Sequence, residues 1–281
     1  KTGGCSILDC DKYVSAMESK LAETYTDCDG TVKPKYVKVE KDVLEEHRQL
    51  IKGVVTEGVQ CGYVTDQDAK LMIPPESKPG RMYGLVKDHK PTDPVTGLPP
   101  LREVVSCSGS TSEYISAYVD HHLKQEVKKL PSFVEDTPHF LREIEQRNAL
   151  GPLPPESVPV SIDVVALYPN VPWKEGLQAL GAAAEDREDK TVPTDFLLRL
   201  MLLVLATNTF EFNSNLYLQK YGTAIGTRSA PTFATYSWAG GKSSSCKAGQ
   251  AQSWSCSGGS LMIFYDLCRT GGGTERTDKV C

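Results

Sequence analysis

The chain has 281 residues, 40% hydrophobic and 24% charged, with a formal net charge of −5. This is ordinary globular composition and excludes a wholly disordered chain. The acidic balance also speaks against a strong autonomous nucleic-acid binder, which usually carries a basic footprint. The longest apolar run, Phe196 to Ala206, contains Arg199 and is too short to span a bilayer, so it predicts a buried helix. No signal-peptide pattern opens the chain, and the expected location is intracellular, nuclear or cytoplasmic, not secreted. Lys1 in place of an initiator Met reads as a piece of something longer. The nine cysteines are irregularly spaced, with no CxxC and no Cys/His cluster at zinc spacing, and predict free thiols in a reducing compartment.

In chain order, "CSILDC" predicts a short strand. Asp11 then caps a helix from about Lys12 to Thr24 with Val14, Met17 and Leu21 on one face. A second helix starts near Asp42, with Val43, His47, Leu50, Ile51 and Val54 as its stripe. Arg81 to Pro91 reads as a strand running into a basic loop, followed by a Pro-rich turn and a strand from Leu101 to Cys107. Ser110 and Glu113 form a capping box. The helix they open runs to about Leu130, with Ile115, Tyr118, Val119, His122, Val127 and Leu130 inward. His121 beside it faces the surface, so the two histidines cannot easily share a metal. Thr137 caps a further helix with Pro138 at its first position. "VPVSIDVVALY" is a strand, Thr194 caps the buried helix, and "TFEFNSNLYLQ" is a hairpin about Asn213-Ser214-Asn215. "YGTAIGTRSAPTFATYSW" is a Gly-containing loop that continues as a small-residue helix. After about Trp238 the chain turns Gly/Ser-rich, holds Cys246, Cys256, Cys268 and Cys281, and predicts loop or disorder.

Asp163 ends an apolar strand, where a carboxylate is costly unless something pairs with it. It can hold a divalent metal, cap a loop or sit in a buried ion pair. Arg102, Lys87 and Lys90 flank the Pro-rich turn; they can grip a triphosphate or lie as solvated surface charge. Gly222 and Gly226, with Thr223 and Thr227, would let backbone approach a ligand closely, or form an ordinary loop. The loop lacks the Lys of a P-loop, which argues against a GTPase or ATPase. No Ser/His/Asp or Cys/His constellation is convincing.

Taken in order, "KTGGCSILDCDKYV", "RMYGLVKDHKP", "PLREVVSCSGS", "SIDVVALYPNVP" and "YLQKYGTAIGTRSAPTFAT" resemble the N-terminal segment, the two finger motifs, motif A and motif B of the reverse transcriptase of Penelope-like retroelements. The resemblance covers about Lys1 to Ala234. It implies an α+β right-hand polymerase fingers–palm fragment with an incomplete palm sheet and no thumb. The implied spans are 1–60, an N-terminal extension of the fingers; 61–155, fingers and connecting helices; 156–238, palm with motifs A and B; and 239–281, a low-complexity tail, out of frame or disordered. By resemblance Asp163 is a catalytic, metal-binding carboxylate and Val164 offers a carbonyl to the metal, Mg2+. Tyr168 is the steric gate against a ribose 2′-OH and Arg102 grips the triphosphate, with Lys87 or Lys90. Gln219, Gly222 and Gly226 contact nucleotide and template. The partners are an RNA template, a DNA primer and deoxynucleoside triphosphates, and the reaction is nucleotidyl transfer by two metals.

Motif C, an aromatic strand with paired aspartates, should follow motif B. The nearest stretch, "LMIFYDLC", has Asp266 but Leu267 in place of a second acid. The expectation is an RNA-directed DNA polymerase fragment that is inactive as given. An active enzyme using Asp266 or a partner chain, and a domesticated non-catalytic RNA-binding or interaction protein, are the other readings.

Overall fold

The computed structural model describes residues 6–73, 75, 76, 78–94, 96–130, 133–152, 158–164, 166–245, 251–257 and 260–265, with backbone alone at 158–163, 240–245, 251–257 and 260–265. The elements are α1 (Cys10–Leu21), β1 (Thr24–Thr26), β2 (Val32–Pro34), β3 (Tyr36–Val39), α2 (Asp42–Gln60), α3 (Asp66–Met72), β4 (Gly80–Val86), β5 (Leu101–Ser106), α4 (Glu113–Val127), α5 (Thr137–Ala149), β6 (Val158–Asp163), a 3-10 turn (Tyr168–Asn170), α6 (Trp173–Glu185), α7 (Thr194–Ala206), β7 (Thr209–Phe212), β8 (Asn215–Gln219), α8 (Ala230–Ser245), β9 (Ala251–Ser257) and β10 (Ser260–Tyr265). The class is α+β, and the contacts divide the chain into two units: Lys1–Val127 with Ala166–Gly241, and Lys128–Val165 with Lys242–Cys281.

The first unit is built on a five-stranded sheet in the order β3-β8-β7-β4-β5. It is antiparallel except where β4 meets β7. The β7–β8 hairpin turns through Asn213 and Ser214, both at positive φ, as a two-residue turn matched to strand twist requires. On one face, Met17 and Leu21 of α1 pack with Met82, Val105, Phe210 and Tyr217. The Tyr13 hydroxyl accepts the Gly84 N–H at 2.7 Å, which locks α1 to β4. The second core centres on α7, whose Phe196, Leu197, Leu200, Met201, Val204 and Leu205 are buried. α7 touches α2, α4 and α6. Each such side chain contributes about 1.5–3 kcal/mol on burial, so the apolar run from Phe196 is the main anchor of this unit.

In the second unit β6, β10 and β9 form an antiparallel sheet in that order. α5 has no buried residue.

Several local expectations shift. No strand is found at residues 6–9, and Ile7 is almost fully exposed. Asp9, not Asp11, caps α1 by accepting the Lys12 N–H at 3.0 Å. The buried stripe of α2 is Leu44, His47, Ile51, Val55 and Gly58: His47 and Ile51 are buried as expected, Val43 and Val54 are half-buried, and Leu50 lies in solvent. Glu113 accepts the Gly109 N–H at 2.6 Å, so the capping box closes one residue early. Asp136 takes the cap expected of Thr137, because its carboxylate reaches the His139 N–H at 2.7 Å. Thr194 lies inside α7, with Pro193 at the cap position. Residues 239–281, expected as a low-complexity tail, include the end of α8 and the strands β9 and β10.

Candidate functional site

The site is built around the turn at residues 166–170. Val164 is half-buried. Ala166 adopts φ +51, a left-handed conformation costly for a residue with a side chain. The next residues wind into the 3-10 turn that carries Tyr168. Asn170 closes that turn: its Nδ2 donates to the Ala166 carbonyl at 3.0 Å, and its Oδ1 accepts from Lys35 Nζ at 2.7 Å. Lys35 is buried, and its Nζ also reaches Glu23 Oε2 at 3.1 Å. At Glu23 burial opposes ionisation, but hydrogen bonds from Lys20 and Lys35 outweigh it and hold the carboxyl below its usual range.

The loop after β8 clasps this turn. The Thr223 N–H donates to the Tyr168 carbonyl at 2.8 Å, and Trp173 Nε1 donates to the Gly222 carbonyl at 2.7 Å. Gly222 has φ +69, and a Cβ there would collide with the Pro169 backbone. Only glycine satisfies both conditions. Gly226 has φ +127, and a Cβ there would collide with the Val105 carbonyl. The Val105 N–H donates to the Ile225 carbonyl at 2.8 Å, so the loop runs along the free edge of β5. Thr227 Oγ1 lies 3.2 Å from Cys107 Sγ, and burial pushes that thiol up in pKa. The loop therefore bridges the Tyr168 turn to the strand that carries Arg102.

Arg102 is exposed and sits opposite Leu85 on β4. Lys87 and Lys90 lie in the loop that joins these strands: the Lys87 N–H donates to the Pro100 carbonyl at 3.0 Å, and the Lys90 N–H to the Lys87 carbonyl at 2.9 Å. The structure brings these three cations to one hairpin. Gln219 is only 2% exposed. Its Oε1 accepts from Asn208 Nδ2 at 2.8 Å and its Nε2 donates to the Tyr221 carbonyl at 2.8 Å, so it holds the base of the loop. Tyr221 stacks on Tyr25 with ring centroids 4.1 Å apart. Sequence reasoning missed Lys35, Asn170, Tyr25 and Trp173. Nothing local in "KPK" at 33–35 marks one of its lysines as buried.

In the second unit Asp163 ends β6, and its side chain lies outside the described residues. Its Cα partner is Ser260, at the hairpin end of β10, where Ser260 also pairs with Ser257 of β9. The strand ends beside Asp163 thus bring serines rather than acids. Asp266 lies outside the described residues. It follows Tyr265, whose partner is Val158 at the opposite end of β6. A pair of magnesium ions needs more anionic oxygen than Asp163 and the Val164 carbonyl supply, and among the described residues the register places Ser260, not an acid, opposite Asp163. Among the described residues the donors do not make up a two-metal centre. Among the described residues no group of three or more His, Cys, Asp or Glu side chains could hold a metal ion. Among them, too, no helix is long and apolar enough to cross a membrane.

No protein-family model matches the sequence, and no curated protein matches it. Among solved structures the chain is similar to apo telomerase from Candida tropicalis truncated from its C-terminal domain (12% identity, 79% of this chain and 49% of that one, TM-score 0.48). It is also similar to apo telomerase from Candida tropicalis (11% identity, 82% and 46%, TM-score 0.49). A third is telomerase from Candida albicans in complex with a TWJ fragment of telomeric RNA (9% identity, 78% and 42%, TM-score 0.47). The chain spans less than half the length of these proteins.

Proposed function

We propose that the chain is the fingers and part of the palm of a Penelope-like reverse transcriptase, a fragment that binds a deoxynucleoside triphosphate and a template strand but does not polymerise by itself. The observation that carries this reading is the 222–226 loop, which ties the Tyr168 turn to the edge of the Arg102 strand. Those residues come from three of the motifs on which the resemblance rests, and a nucleotide site needs them near one another. Arg102 supplies the bidentate cation for phosphate, with Lys87 and Lys90 as point charges behind it. Tyr168 forms the wall beneath the sugar.

Titration with a fluorescent deoxynucleoside triphosphate in magnesium tests the reading. Arg102→Ala should weaken binding roughly tenfold, as loss of a charged hydrogen bond does. Tyr168→Ala should raise affinity for the ribonucleotide more than for the deoxynucleotide. If neither variant changes binding, the site assignment fails. Primer extension on RNA should be absent, and extension by the purified chain would sink the inactivity claim.

The Asp163–Ser260 register favours a second reading, a non-catalytic RNA-binding or interaction protein. RNA binding without measurable triphosphate binding would select it.

A further inference from the structure

The first unit also carries a cleft of about 760 Å3, whose lining includes no residue of the proposed nucleotide site. That is within the size range of ligand pockets. The cleft arises from a second stripe on α4. The helix buries Ile115, Ser116, Val119, Leu123 and Val127. Tyr114, Tyr118, His121 and His122, spaced by three and four residues, line the cleft instead. Tyr118 and His122, expected inward, are half-buried there. Tyr63 and Leu71 complete the walls. Tyr63 is 37% exposed and Tyr114 41%, so ring faces are open to a ligand.

Charge decides the ligand class. Two acids, Asp68 and Glu113, line the cleft against one arginine, Arg228. Glu113 already accepts the Gly109 N–H at 2.6 Å, and Arg228 stands 3.9 Å from it. Asp68 accepts the Thr65 hydroxyl at 2.7 Å and, among the described residues, pairs with no cation. Burial first, then the neighbouring His121 and Arg187, hold His122 below the ordinary histidine value, so it is neutral near pH 7. Asp189 adds negative charge felt by Tyr118 and His122. An acidic, ring-lined cleft repels phosphate and attracts a cation over the negative ring faces.

We propose that this cleft binds a basic peptide segment, taking an arginine or lysine side chain over the α4 rings with Asp68 as its counter-charge. A guanidinium suits it because the same plane stacks on a ring and forks to a carboxylate. The proposal does not depend on the nucleotide reading.

Fluorescence anisotropy with a labelled octapeptide of alternating glycine and arginine tests it on the full chain. Saturable binding is expected, lost when citrulline replaces arginine. Asp68→Asn and Tyr114→Ala, the latter at an exposed ring that folding does not need, should each weaken binding about threefold or more. Glu211→Gln, an exposed acid outside the cleft lining, should leave it unchanged. Absence of binding overturns the proposal, as does equal weakening by Glu211→Gln, which would mean diffuse charge attraction. Binding of oligouridylate that depends on Tyr114 overturns it too, because the occupant would then be RNA.

Discussion

Replacing Gly222 with Ala separates two costs that coincide at the candidate site. The first is conformational: φ is +69, and an L side chain in that region costs about 1–2 kcal/mol. The second is steric: the new methyl would meet the Pro169 Cα, carbonyl carbon and carbonyl oxygen, which are backbone atoms that cannot rotate away. Forced insertion of a methyl into packed surroundings costs about 1–3 kcal/mol. Gly30 supplies the control. Its φ is +77, but nothing lies within 4 Å of the position its Cβ would take. Gly30→Ala should therefore lose only the conformational part, and Gly222→Ala about 2–5 kcal/mol in all. Urea unfolding followed by tryptophan fluorescence reads the difference. With a slope of about 2 kcal/mol per molar, Gly222→Ala should unfold about 0.5–1.5 M earlier than Gly30→Ala. Equal midpoints would refute the close approach of the loop to the Tyr168 turn, and with it the bridge on which the site rests.

Lys35→Met should cost about 0.5–1.5 kcal/mol in the same assay, because it removes the hydrogen bond to Asn170 Oδ1, an exposed acceptor that water can reach. Amide exchange of Thr223 should quicken in that variant, and an unchanged rate would disconnect Lys35 from the turn. His47 and His122 both lie below the ordinary histidine value, His47 through burial and then Lys220. The unfolded chain therefore binds their protons first, and stability present above about pH 6.5 should fall as the pH drops through the depressed folded values. Unfolding midpoints at pH 7.5 and 5.5 test the sign, and His47→Gln should flatten the slope. Finally, reading the locus beyond the Ala234 codon in all frames should find an aromatic strand with paired aspartates in another frame. If no frame contains it, the proposal that the tail is out of frame fails.

What could be read from sequence followed how locally each feature is specified. The β7–β8 hairpin was legible because Asn213-Ser214-Asn215 interrupts alternating strands, and α7 because its apolar run admits no other reading. The stripe of α2 was legible at His47 and Ile51 but not at its other positions, because Val43 and Val54 are as apolar as Leu44 and Val55. Only the packing partners choose between those faces. α6 was passed over: its buried positions include Gly176 and Ala184, which carry little hydrophobic signal, and Gly176 lets Phe233 approach. β9 is rich in serine, and its strand form depends on pairing with β10, which pairs in turn with β6 about a hundred residues earlier in the chain. At the site, Tyr168, Gly222, Gly226 and Arg102 carry motif-like residue types. Lys35 and Asn170 do not, since a buried lysine is recognised only by the partners that surround it.

The short parallel contact between β4 and β7 has a consequence for biosynthesis. Gly80 and Arg81 pair with Phe210 and Glu211, on the order of 130 residues away, and among the described residues this pairing alone joins the β4–β5 hairpin to the rest of its sheet. At roughly 5–20 residues per second, the hairpin leaves the ribosome on the order of ten seconds before its partner strand. Throughout that interval Met82 and Val105, which the finished sheet buries, have only α1 to cover them. The docking of α1 through Tyr13 onto Gly84 is thus an early shelter for a hairpin still waiting for its neighbour.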